Sequence, residues 1–175
     1  VQSLIIEPTM QGLKKEGIHY KGFLYFGLFN DRNEPYVIEY NCRMGDPETQ
    51  VIMPRVASDI IEVFQAVAAE TLANQPLEID PRPCTTVILA SHGYPGTFEK
   101  GFPITGIDQT TDCMVFQAGT AQNERNELVT AGGRVLAVSA YGQTLDEALR
   151  TCYINAGRIY YDSRYFRRDI GFDVI

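Results

Sequence analysis

The chain has 175 residues, 45% of them hydrophobic, and a net charge of −7 at pH 7. That length suits one ordinary domain or two small ones, with enough chain to bury a core without disulfide staples. The acidic balance argues against a nucleic-acid partner, and no apolar run is long enough to cross a membrane. Cys42, Cys84, Cys113 and Cys152 form no CxxC pair and are accompanied by only two histidines. This argues against a zinc site or a disulfide framework, and for a reducing, cytoplasmic setting.

In chain order, the first expected element is a short helix with Pro8 in its first turn, ending near Gly17. The chain has no initiator methionine, and Val1 to Glu16 reads as a continuation. It is therefore expected to be the C-terminal part of a longer protein. Gly22 to Phe29 and Tyr36 to Tyr40 read as two strands joined by a longer loop over Asp31 to Pro35. A helix is expected from Ser58, as N-cap, to about Leu72. Its buried face would carry Ile60, Ile61, Phe64, Val67 and Ala68. Three prolines between Ala73 and Pro83 mark the best boundary, so residues 1–75 and 76–175 are expected to form separate domains. Beyond it, Thr85 to Ala90, Cys113 to Ala118 and Arg134 to Ala140 read as strands. Thr144 to Ala156 reads as a helix opened by a Thr144–Glu147 capping box. Its buried stripe would be Leu145, Ala148, Leu149, Cys152 and Ala156.

The densest chemistry lies at the end of the second strand, in Glu39-Tyr40-Asn41-Cys42-Arg43-Met44-Gly45-Asp46-Pro47-Glu48-Thr49. Glu39 and Asn41 are two apart and share a strand face, which sets two hard oxygen donors side by side. Arg43 continues that face. Carboxylate, amide oxygen and guanidinium together can hold a magnesium ion on phosphate oxygens and grip an anion beside it. Asp46 and Glu48 can orient an amine or a sugar hydroxyl, or simply decorate the start of a helix. Cys42 reads as a small packing residue, because no histidine is near in sequence.

Other motifs have plainer readings. Ser91 and His92 are adjacent, so on extended chain they face opposite ways and form no dyad. Gly132-Gly133-Arg134 suits a turn, with Arg134 as a candidate anion-binding group. Arg164, Arg167 and Arg168 alternate with Tyr165 and Phe166, and have acidic neighbours in Asp162 and Asp169.

Several segments together resemble one family. Gly22 to Leu28, Val37 to Gln50, Gly93-Tyr94-Pro95-Gly96, Ala118-Gly119-Thr120, Val129 to Leu136 and Arg167 to Gly171 follow, in order, the pattern of glycinamide ribonucleotide synthetases. These are phosphoribosylamine–glycine ligases, ATP-grasp enzymes of purine biosynthesis. The resemblance implies an α+β fold: the C-terminal part of an ATP-grasp module, with antiparallel strands and helices, then a small α+β domain. It implies that Glu39 and Asn41 bind magnesium or manganese on ATP, and that Arg43 steadies an acyl phosphate. Asp46, Glu48 and Arg134 are the candidate substrate-binding residues. Glycine and phosphoribosylamine are the implied substrates, and the N-terminal part of the same polypeptide is an implied partner. Two features depart from the pattern. The strand Gly22 to Phe29 carries no acid, and Gln117 stands where histidine is expected. No phosphate-binding glycine loop is present, so the chain alone is expected to lack a complete ATP pocket. The alternatives are a related ATP-grasp carboxylate–amine ligase with another substrate, or a non-catalytic binding module.

Overall fold

The computed structural model describes residues 1–172. The fold is α+β and divides into two compact units. Val1–Glu48 and Ser58–Glu78 make the first, and Thr49–Ala57 with the chain from Ile79 onward make the second.

In the first unit a π-helical turn over Gln2–Ile6 runs into α1 (Glu7–Lys15), with Pro8 in its opening turn. Helical backbone thus opens at Gln2, while Pro8 stands in the first turn of α1, as expected. Strands β1 (Tyr25–Asp31) and β2 (Glu34–Asn41) form an antiparallel ribbon. The expected longer loop is a two-residue turn, because Arg32 and Asn33 both adopt positive φ (51° and 69°). Two consecutive left-handed residues match the natural twist of a hairpin and close it tightly.

Helix α3 (Ile60–Ala68) is capped by Asp59, whose side chain accepts from the Ile61 amide at 2.8 Å. Ser58, the expected cap, instead links Glu78 N and Pro76 O. The helix is shorter than expected and ends before Glu70, which has φ 60°. The expected buried stripe is also corrected: Val63 and Ala66 are buried, while Ile61 is 57% and Phe64 42% exposed. A helix that is apolar nearly all round has no unique inward face, and periodicity alone selects the wrong one.

In the second unit, α2 (Thr49–Arg55) has no counterpart among the expected elements, since it is short and contains Pro54. Strands β3 (Cys84–Ser91), β4 (Met114–Gln117), β7 (Arg134–Tyr141) and β8 (Arg164–Tyr165) form an antiparallel sheet in the order β4-β7-β3-β8. A separate ribbon pairs β5 (Thr120–Gln122) with β6 (Leu128–Thr130). Helix α4 (Leu145–Arg158) opens at Thr144, whose hydroxyl accepts from Glu147 N. The Glu147 carboxylate reaches back to Gln143 N. Its last turn is held by Arg164, whose guanidinium donates to the carbonyls of Ala156 and Ile159. A cation on these orphan carbonyls also complements the helix dipole.

Val87, Leu89, Leu136, Val138, Ala148, Cys152, Ala156, Ile159 and Tyr161 form the core of this unit. Burial pushes the Cys152 thiol pKa up to about 11, so it behaves as a small apolar group. Asn155 is buried within α4, where its amide bonds Thr111 N, Thr111 O and Thr151 O. Asn155→Ala is expected to leave the Thr111 groups unpaired and cost about 2–3 kcal/mol, seen as a lower urea midpoint with an unchanged slope. Hydrogen bonding to Arg82 holds the Asp80 carboxyl at about 2, against 3.8 ordinarily. A depressed folded-state pKa stabilises the fold above the ordinary value and loses that effect as pH falls through about 2. Asp80→Asn is therefore expected to flatten the decline of the thermal midpoint over that acid window.

Candidate functional site

The site is built on the β1–β2 ribbon. Tyr25 lies opposite Asn41, and Gly27 opposite Glu39. Residues directly opposite share a face in an antiparallel pair, so Tyr25, Glu39 and Asn41 project to the same side. Gly27 makes the room. A Cβ there would lie 2.8 Å from Glu39 Cγ, closer than real side chains approach. Immediately after Gly27 the register slips by a bulge, a common device for re-aiming side chains near a site. Asn41 Nδ2 donates to Glu39 Oε1 at 2.8 Å, which holds the amide and carboxylate side by side.

Past Asn41 the chain leaves the strand. Arg43 is exposed, and its Nη1 donates to the Met44 carbonyl at 2.8 Å. Gly45 is buried because the Glu48 side chain folds back across it, into the space a Cβ would take. The Tyr25 phenol pKa is raised, first by burial, then by the charge and hydrogen bond of Glu48, then by the charge of Glu39. Tyr25, Gly27, Glu39, Asn41, Arg43, Gly45, Asp46 and Glu48 line one cleft of about 260 Å³. Five of the six candidate residues thus meet there.

Arg134 does not line that cleft. It opens β7 in the second unit, opposite Ala90, with its guanidinium 5.9 Å from the Tyr94 ring centroid. Cys42 is exposed rather than packed, beside the Tyr20 hydroxyl. Ser91 is buried and donates to the Gly132 carbonyl, while the exposed His92 ring faces Tyr165.

Among the described residues, no three His, Cys, Asp or Glu side chains converge as a metal cage. One carboxylate and one amide instead suit a hard cation that completes its shell with phosphate oxygens and water, as magnesium prefers. Arg43 adds a planar cation beside them for an anionic group. Asp46 and Glu48 add acceptors for N–H or O–H donors. Five lining residues escape a reading of the sequence, Leu28 and Ile38 among them as apolar wall. Tyr25 becomes visible only through cross-strand register, and Gly27 and Gly45 only through what their missing side chains admit.

A family model described as phosphoribosylglycinamide synthetase, C domain, matches residues 84–173. The chain belongs to the phosphoribosylglycinamide synthetase family. The family's ATP-grasp (A) domain model matches residues 1–49, which include the cleft-lining segments. The chain is 45% identical over 174 residues to the phosphoribosylamine–glycine ligase of Vibrio cholerae, covering 98% of this chain and 40% of that protein. It is 41% identical to the trifunctional purine biosynthetic protein adenosine-3 of Gallus gallus, across 100% of this chain and 18% of that one. A phosphoribosylamine–glycine ligase structure from Thermotoga maritima superimposes with a TM-score of 0.77 at 37% identity, covering 92% of this chain and 40% of that one. The chain therefore spans about two-fifths of the length of the ligases it matches.

Gly27→Ala is expected to push the Glu39 side chain out of its present rotamer at a cost of about 1–3 kcal/mol. A crystal structure of the variant would show the Glu39–Asn41 hydrogen bond broken, and urea unfolding would give the cost.

Proposed function

We propose that this chain supplies the metal-bearing part of the ATP-grasp module and the C-terminal domain of an ADP-forming phosphoribosylamine–glycine ligase. The observation that carries this reading is the meeting of Glu39, Asn41, Arg43, Asp46 and Glu48 in one cleft, in a chain of this family. Residues 1–75 belong to the ATP-grasp module in this reading, and residues 76–175 to the C-terminal domain.

The reaction joins a carboxylate to an amine. A glycine carboxylate oxygen attacks the γ-phosphorus of ATP, the bond to the bridging oxygen breaks, and ADP leaves with that electron pair. The amine of phosphoribosylamine then attacks the carbonyl carbon of glycyl phosphate. Inorganic phosphate departs, and the amine loses a proton. Glu39 and Asn41 would hold magnesium or manganese, which when bound would screen the charge of the ATP phosphates. Arg43 lies beside them and neutralises the acyl phosphate, whose negative charge would otherwise repel electron density arriving at the carbonyl. Asp46 and Glu48 accept hydrogen bonds from substrate N–H or O–H groups. Such chemistry relies on positioning and charge rather than on covalent work by the protein. Arg134 is assigned an anion-binding role by its guanidinium and by the glycine-rich turn before it.

A cleft of about 260 Å³ is too small for a nucleotide with its two partners. The first unit also buries few large side chains, and leaves Leu4 66%, Ile38 68% and Ile61 57% exposed. Exposed apolar side chains of this unit are available for burial by further polypeptide, an apolar set that stays uncovered here. In this reading the remaining ATP-grasp polypeptide covers it and closes the nucleotide pocket. The setting in this reading is cytoplasmic, in keeping with four free cysteines.

The test uses the full-length protein with ATP, glycine and phosphoribosylamine. ADP release is expected to require both co-substrates, with glycine preferred over other amino acids. Glu39→Ala is expected to lower kcat by roughly 10²-fold or more, the scale for losing a group that stabilises transition-state charge. Unchanged turnover at saturating magnesium would overturn the metal assignment.

A further inference from the structure

The reaction drawn above leaves Tyr25 without a task, although this residue shares a face with Glu39 and Asn41 and lines the same cleft. Its neighbourhood is unusual for a phenol. Glu48 enters the same cleft from the loop beyond β2, its carboxylate folded into the space that a side chain at Gly45 would fill. A glutamate on a loop has several rotatable bonds, and holding one rotamer costs entropy unless a partner fixes it. A phenol rooted in a strand is such a partner, because its position is set by the backbone ladder and by only two side-chain torsions.

We propose that Tyr25 is a positioning residue: its hydroxyl donates to the Glu48 carboxylate and fixes it over Gly45, facing Glu39 and Asn41, as an acceptor for an N–H or O–H donor of the bound substrate. The proposal deepens the ligase reading and rests on it. Gly45 is the second element of the device. Any side chain there would push the carboxylate away from the phenol. Two substrates carry suitable donors, the ammonium of glycine and the amine or hydroxyls of phosphoribosylamine. The donor chemistry is shared, and kinetics separate the sources.

The experiment is a double-mutant cycle in the full-length protein, with Tyr25→Phe, Glu48→Gln and both together. Tyr25→Phe is expected to raise KM for one of the two substrates roughly tenfold, the scale for a lost hydrogen bond to a charged group. The kcat and the magnesium concentration for half-activation are expected to stay within about twofold. Whichever KM moves identifies the substrate that Glu48 holds. Because Tyr25 acts through Glu48, the double variant is expected to match Glu48→Gln alone. Gly45→Ala is expected to raise the same KM by a second route. Multiplying effects of Tyr25→Phe and Glu48→Gln, or a fall in kcat with KM unchanged, would overturn the proposal. If the wild-type protein released no ADP with glycine and phosphoribosylamine, the ligase reading would fall. The same cycle read in thermal midpoints would then decide the pairing, with non-additive shifts retaining it and additive shifts removing it.

Discussion

In an antiparallel ribbon the residue directly across the ladder shares a face, and here that rule assembles the cleft. Tyr25 meets Asn41, and Gly27 meets Glu39. Sliding the pairing by one residue would send Glu39 and Asn41 to the other side together. The tight Arg32–Asn33 turn sets the register from one end. The bulge after Gly27 offsets the turn-side pairing from that of the two site pairs by one residue. Local backbone geometry at these places therefore decides where one carboxylate and one amide point.

Around this ribbon the chain trades side chains for space. Gly27 admits the Glu39 stem, and Gly45 admits the Glu48 carboxylate. Gly45 sits on the same loop as its acid, whereas Gly27 meets its own only across the ladder. The second unit uses the same means for another purpose. A Cβ at Gly119 would lie 2.6 Å from Gly132 Cα, and the Ala131 and Gly132 amides both donate to the Gly119 carbonyl. There the small residues let two backbone segments touch and brace the start of β7. The missing bulk of glycine is thus chemical in the first unit and architectural in the second.

The α+β class, the strand carrying Glu39 and Asn41, and the capped helix α4 are legible in the sequence because each rests on a short-range rule: alternation, spacing, or a capping pair. What eludes the sequence depends on groups distant along the chain. Tyr25 and Glu48 lie on different segments, and nothing in either announces the other. Asp59 and Ser58 are both good caps, and only the Ser58 link to Pro76 and Glu78 decides between them. Helix α3 hides its inward face because Ile60, Ile61, Val63, Phe64 and Val67 surround it with apolar groups. Helix α2 is hard to see because Pro54 and its shortness mask its period. Chemistry finds the candidate residues, and register finds their meeting place.

The path of the backbone between the units has a practical meaning. The chain leaves the first unit after Glu48, returns at Ser58 and leaves again after Glu78. No single cut in the gene yields either unit whole, since each is assembled from separated stretches. A truncation after Glu48 would keep the cleft-lining loop but discard Val63 and Ala66, two of the few buried side chains of that unit. Exchange of either unit with a homologue would have to respect all of these junctions at once. For cutting or exchanging the chain, the two compact units therefore behave as a single piece.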